Sequence, residues 1–295
     1  MNNAELNPIF TREQLDLYFG SYIGMEGGNP AGAVWFCDNA PSMAEPLVEP
    51  LLPQTVPNAW DSAYRHKKRH EMERWQSHKK IARIMAAARA QTIGTALRGR
   101  DWKDYFDHQL YARNGAEFKL SLYPLPARTI NQTSWSRAFR GQPALIPKQR
   151  YMDLCRDGKR FAFIDDIRGL WKPKVVVCFG ERYEDYFVKA FQLSTTRVVN
   201  DILQPADQIK PLRLFVRDDT RWIICPALAG AAGLMSDVLL DAMGQYIARW
   251  LEPEDFPPLS IGADVPTYER TVERGHRSLS GGRGAGAALL LCQEH

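Results

Sequence analysis

The chain has 295 residues, 45% hydrophobic and 11% aromatic, enough for one large or two ordinary domains around a sizeable core, which excludes global disorder. No apolar run approaches the roughly 20 residues that span a bilayer, and the N-terminus lacks the basic and apolar regions of a signal peptide. A soluble cytoplasmic protein with no membrane partner is expected. The net charge is only +4, but residues 64–100 hold eleven Lys or Arg against Glu71 and Glu73, a local +9 that leaves −5 for the remainder. A block of that kind is either the electrostatic footprint of a nucleic-acid binder or a solvated helix face.

In chain order, Thr11-Arg12-Glu13-Gln14 has the residues of a capped helix start, followed by Leu15, Leu17, Tyr18 and Phe19. The glycine-rich loop Gly24-Met25-Glu26-Gly27-Gly28-Asn29-Pro30 lacks the lysine of a phosphate-binding loop and the spacing of a dinucleotide fingerprint, and reads as a plain connection. It leads into Ala33-Val34-Trp35-Phe36-Cys37, an apolar run that predicts a strand buried on both faces, as in a parallel sheet. Pro41 cannot extend the ladder, so the strand ends in the turn Asp38-Asn39-Ala40-Pro41-Ser42. Ligands of open α/β sheets bind at the carboxyl ends of the strands, which makes this turn the candidate site. A polar strand end without function is the alternative.

Residues 43–58 are proline-rich and read as irregular; residues 60–96 read as a helix with Trp75, Ile81, Ile84 and Met85 inward and the basic residues outward. His66 and His70, set among Lys67, Lys68 and Arg69, read as basic surface rather than as metal ligands. A short aromatic helix is expected over 101–110. The next strand is Glu117-Phe118-Lys119-Leu120-Ser121-Leu122-Tyr123, ended by Pro124. Residues 131–142 carry Trp135, Arg137, Phe139 and Arg140, a mixture suited to stacking and phosphate contact. A helix over 160–170, the strand Lys174-Val175-Val176-Val177-Cys178-Phe179-Gly180 and a helix over 181–191 give a unit of parallel sheet. Strands over 212–216 and 222–225 and a helix over 236–250, capped by Ser236 and Asp237, complete the domain. Five scattered cysteines with no Cys-x-x-Cys pair argue against disulfides, zinc and iron–sulfur clusters. The Gly-, Ser- and Arg-rich stretch 274–286 predicts a poorly ordered tail over 254–295.

The turn after the first strand, the Lys-Val-Val-Val-Cys-Phe-Gly strand and the loop Pro226-Ala227-Leu228-Ala229-Gly230, in that order, resemble the uracil-DNA glycosylase superfamily over roughly residues 15–252, the basic helical segment excluded. Its members excise a flipped base from DNA. The resemblance implies a three-layer α/β/α sandwich with a central, mostly parallel sheet over residues 11–253, here with a basic helical insertion near 60–110. With Ala40 at the family's usual position, Asp38 and Asn39, one or two positions earlier, are expected to serve catalysis, and Ala40, Pro41, Ser121, Tyr123 and Ala227 to form the base pocket. Lys67, Lys68, Arg69, Lys79, Lys80 and Arg83 are assigned to phosphates. Leu228, Ala229 and Gly230 enter the duplex, with Leu228 as the wedge. Tyr123 or Trp135 would stack on the base.

The chain departs from the family at three points: Ala40 stands where relatives carry a water-positioning Asn, Ser121 where they carry a base-reading Asn, and the motif histidine is missing from the 226–230 loop. Either Asp38 takes over stabilisation of the sugar cation while small side chains widen the pocket, or the site has decayed. The first reading implies a DNA glycosylase that removes a bulky base, such as glucosylated 5-hydroxymethylcytosine, from phage DNA, as one antiviral branch of the superfamily does. Its partner is double-stranded DNA, it needs no cofactor or metal, and it works as a monomer. The alternatives are an inactive DNA-binding relative, or a nucleotide or nucleoside hydrolase.

Overall fold

A computed structural model describes residues 9–41, 47–48, 50–126, 132–256 and 258. Ser42, Cys292 and the stretch 274–286 lie outside the described residues, as does nearly all of the expected tail.

Seven strands form one mixed sheet: β1 (Gly27–Gly28), β2 (Val34–Asp38), β3 (Glu117–Ser121), β4 (Val175–Phe179), β5 (Val198–Leu203), β6 (Lys210–Arg217) and β7 (Thr220–Cys225), in the order β1-β3-β2-β4-β7-β6-β5. The four central strands run parallel, while β1, β6 and β5 are antiparallel to their neighbours. The apolar runs read from sequence are these inner strands: Val34–Cys37 and Val175–Cys178 are fully buried, because helices cover both faces. β6 and β7 form a hairpin whose turn residues, Asp218 and Asp219, both take left-handed φ (51° and 65°), the geometry that suits strand twist.

One face packs against α2 (Ser62–Met72), α3 (Gln76–Ile93), the short α4 (Asp101–Asp104) and α9 (Asp237–Ala248), through Phe36, Val177, Phe179, Ile84, Met85, Met243 and Ile247. The other packs against α1 (Arg12–Phe19), α6 (Lys148–Asp157), α7 (Lys159–Trp171) and α8 (Glu184–Ala190), through Trp35, Phe118, Cys178 and Trp222; α5 (Gln132–Ala138) precedes α6. The result is the expected α/β/α sandwich. The basic segment supplies half of one layer: α3 lies so close to α9 that a Cβ on Gly244 would sit 2.3 Å from the Ile84 carbonyl. The single helix read over 60–96 is two helices, each newly started, the first capped by Asp61, which accepts from Tyr64 N–H at 2.7 Å.

The chain passes from β2 to β3 on one side of it and then to β4 on the other. Such a reversal opens a crevice beyond the carboxyl ends of the two strands. Among the described residues, no helix is long and apolar enough to cross a membrane, and no group of His, Cys, Asp and Glu is arranged to hold a metal.

Candidate active site

The crevice is a cleft of about 790 Å³, within the ~300–1,000 Å³ common for ligand pockets. Its floor comes from the end of β2 (Asp38, Ala40, Pro41) and from the glycine loop (Gly24 to Glu26). One wall is aromatic, with Trp60, Tyr64, Trp75 and His78 from the basic segment, and the opposite lip is Leu228 and Ala229.

At the floor stands a buried ion cluster. Strand β3 alternates: Phe118 and Leu120 join the core beneath α1 and α7, whereas Glu117, Lys119 and Ser121 face the other way. Lys119 has only 1% of its side chain exposed, and its ammonium donates to Asp38 Oδ2 at 2.6 Å and to Glu26 Oε1 at 3.4 Å. Burial alone would drive a lysine towards neutrality, but the two carboxylates reverse the shift and raise its pKa above the usual lysine value. Glu117, lower on the same strand, accepts from Tyr105 Oη and from the Tyr111 amide at 2.6 Å each. Burial pushes its carboxyl up to about 7 against those bonds.

His78 enters from α3 and pairs through Nδ1 with Tyr111 Oη at 3.2 Å. Burial, helped by the Lys119 ammonium and opposed by Asp38, pushes it down to about 3, so the imidazole is neutral at working pH. Along the sequence no histidine stands near the 226–230 loop. The fold nevertheless brings His78 to the same cleft as Leu228 and Ala229.

Of the residues expected to act, Asp38, Ala40, Pro41, Leu228 and Ala229 meet at this cleft. Asn39 lies buried beside it, and its Oδ1 has no partner among the described residues. Ser121 and Tyr123 are wholly buried and Ala227 is half-buried; none of the three lines the cleft. Tyr123 and Trp135 are core side chains against Tyr151, with Trp135 Nε1 donating to the Leu145 carbonyl at 2.9 Å, so neither is a stacking platform. Leu228 is 6% exposed and packs in the core, which makes it lip rather than wedge; Ala229 and Gly230 are exposed.

The basic residues divide sharply. Arg83 is bound to Asp237 and bidentately to Asp241 (2.7–2.8 Å), and Lys80 donates to the Leu228 carbonyl at 2.5 Å and to Met235 Sδ, fastening the lip. Lys79 donates to the Glu73 carbonyl, and Lys68 pairs with Glu71. Lys67 and Arg69 are exposed, as is Arg74, which also lines the cleft and was not singled out from sequence.

Glu26 and Lys119 were likewise missed, although signals existed: a lone acid among glycines just before the first strand, and a charge alternating within an otherwise apolar strand. No family model matches the chain, and neither a curated protein nor a solved structure matches it.

Proposed function

We propose that the protein is a DNA glycosylase that extrudes a modified, bulky base into the cleft and hydrolyses its N-glycosidic bond. The observation that carries this reading is the Asp38 carboxylate, fastened to a buried ammonium at the open end of β2, on the floor of a roomy, aromatic-walled cleft. The resemblance carried by the turn after β2 and by the 226–230 loop points the same way, since Asp38, Ala40, Pro41, Leu228 and Ala229 meet at the cleft. A carboxylate so placed stabilises an oxocarbenium-like sugar as the bond to the base breaks, the larger part of the catalytic task. In the tautomer whose Nδ1 accepts from Tyr111 Oη, neutral His78 has its Nε2–H left to hydrogen-bond the departing base without repelling the sugar cation. Trp75 and Tyr64 offer apolar faces to a base carrying a large substituent. Lys67, Arg69 and Arg74 are exposed cations available to phosphates.

The test is incubation with phage DNA containing glucosylated 5-hydroxymethylcytosine, with uracil-containing DNA and with unmodified DNA, followed by assay for alkali-labile abasic sites. Sites in the modified DNA alone are expected. Sites in uracil DNA would keep the glycosylase and discard the bulky base. Tight, salt-sensitive binding with no abasic product would mark an inactive DNA-binding relative. Hydrolysis of free nucleosides with indifference to polymer would mark a nucleoside hydrolase.

A further inference from the structure

The two carboxylates on Lys119 are not equivalent. Asp38 takes the short charge-assisted bond at 2.6 Å; Glu26 is held at 3.4 Å, and its Oε2 is buried without a hydrogen-bond partner among the described residues. A buried acceptor without a donor is costly, while the Glu26 side chain as a whole keeps 22% of its surface exposed.

The loop that delivers Glu26 is built for close approach. Gly24 and Gly27 have φ of 69° and 102°, and a Cβ would lie 2.5 Å from Pro124 Cα at the first and 2.0 Å from the Asn58 carbonyl at the second. Side chains at either position would force the loop away. Gly27 sits opposite Lys119 in the antiparallel β1–β3 pairing, which fixes the neighbouring Glu26 against the ammonium. Glu26 also lines the cleft beside Asp38.

From this geometry we infer that Glu26 is the second catalytic carboxylate, the general base for the attacking water; the inference rests on the glycosylase reading. As the C1′–N bond breaks, its electron pair leaves with the base nitrogen while Asp38 faces the developing cation. A bond forms from water oxygen to C1′, the proton released by that water passes to Glu26, and solvent carries an equivalent proton to the departing base. Glu26 returns to its starting state, and no oxidant or cofactor is consumed.

The experiment compares wild type, E26Q, E26A and D38A in single turnover on the modified DNA, with and without added azide, together with DNA affinity and melting temperature. E26Q, nearly isosteric, is expected to lose about 10²- to 10⁴-fold in rate while binding DNA within about twofold of wild type. Azide needs no deprotonation to attack, so it is expected to restore turnover in E26A, giving an azido sugar, and to leave D38A inactive. Wild-type rates in E26Q would overturn the inference and leave the glycosylase reading standing. A loss in E26A and E26Q that azide does not relieve would also overturn it, assigning Glu26 to neutralising Lys119. Absence of abasic product from wild type on every DNA would overturn the glycosylase reading itself and this inference with it.

Discussion

Two cations are buried at the carboxyl end of β3, one on each face of the sheet, and they are treated in opposite ways. Lys119 is met by the carboxylates of Glu26 and Asp38, which line the cleft. Among the described residues Arg160, from α7, donates to backbone alone: to the carbonyls of Phe19, Ser21, Ile23, Ser121 and Leu122 at 2.5–3.2 Å. Burial pulls its guanidinium down to about 10, so it remains a cation. The fork of Arg160 spends its charge on fixing chain path, whereas the ammonium of Lys119 organises two groups that retain acceptor capacity. Burial of charge is common to both. Only the partners distinguish a scaffold from a candidate site.

Substitutions on the two sides should separate stability from chemistry. The largest stability loss is expected for Arg160→Met, roughly 3–5 kcal/mol in urea unfolding, because five buried carbonyls lose their donor. A loss below about 1 kcal/mol would mean that these carbonyls find other donors. Lys119→Met should cost about 3 kcal/mol by stranding two carboxylates, and should reduce the rate about 10²- to 10³-fold. Adding Glu26→Gln and Asp38→Asn to it should recover much of the stability and none of the activity, a combination that a purely structural cluster does not produce.

Glu117 offers a finer test on the same strand. Burial pushes its carboxyl from the ordinary 4.5 up to about 7, so the folded protein holds the proton more tightly. Its contribution to stability is therefore fullest below about 4.5 and is lost as the pH rises to about 7. Glu117→Gln should flatten the pH dependence of unfolding across that window, a change of roughly 1–3 kcal/mol. An unchanged slope would show that other groups set it. The smallest effects belong to the surface: Lys67→Ala and Arg69→Ala should each lower the salt slope of DNA binding by about one while leaving the rate intact.

The fold was legible where burial wrote itself into composition. The apolar β2 and β4, the helix run after β4 and the capped α9 appear in the sequence near their true bounds. The edge strand β5 was not read, since Val199, Asn200 and Ile202 face outward and pair only with β6, leaving no alternation to notice. Helix α6 was missed because most of its residues are polar and its buried side is only Tyr151, Leu154 and Cys155. At the site, Asp38 was legible because it ends an apolar strand. Arg83 misled, since the acceptors that claim it, Asp237 and Asp241, lie about 150 residues away along the chain. Glu26, His78 and Lys119 come from three segments, and their convergence is a property of sheet register and helix packing, which no local pattern encodes.

The carbonyls gripped by Arg160 belong to the chain on both sides of the cleft floor, the approach to Glu26 and the exit from β3. One side chain in the far layer thus clamps this jaw from behind, and the amides around residues 21–26 should exchange with solvent only when the domain opens as a whole. The facing jaw, from Ala229 to Ala232, is exposed and hangs from the ammonium groups of Lys80 and Lys210. Under the proposed function, accommodation of bases of different size falls to one side: the floor acts as a template, and the lip takes up the misfit.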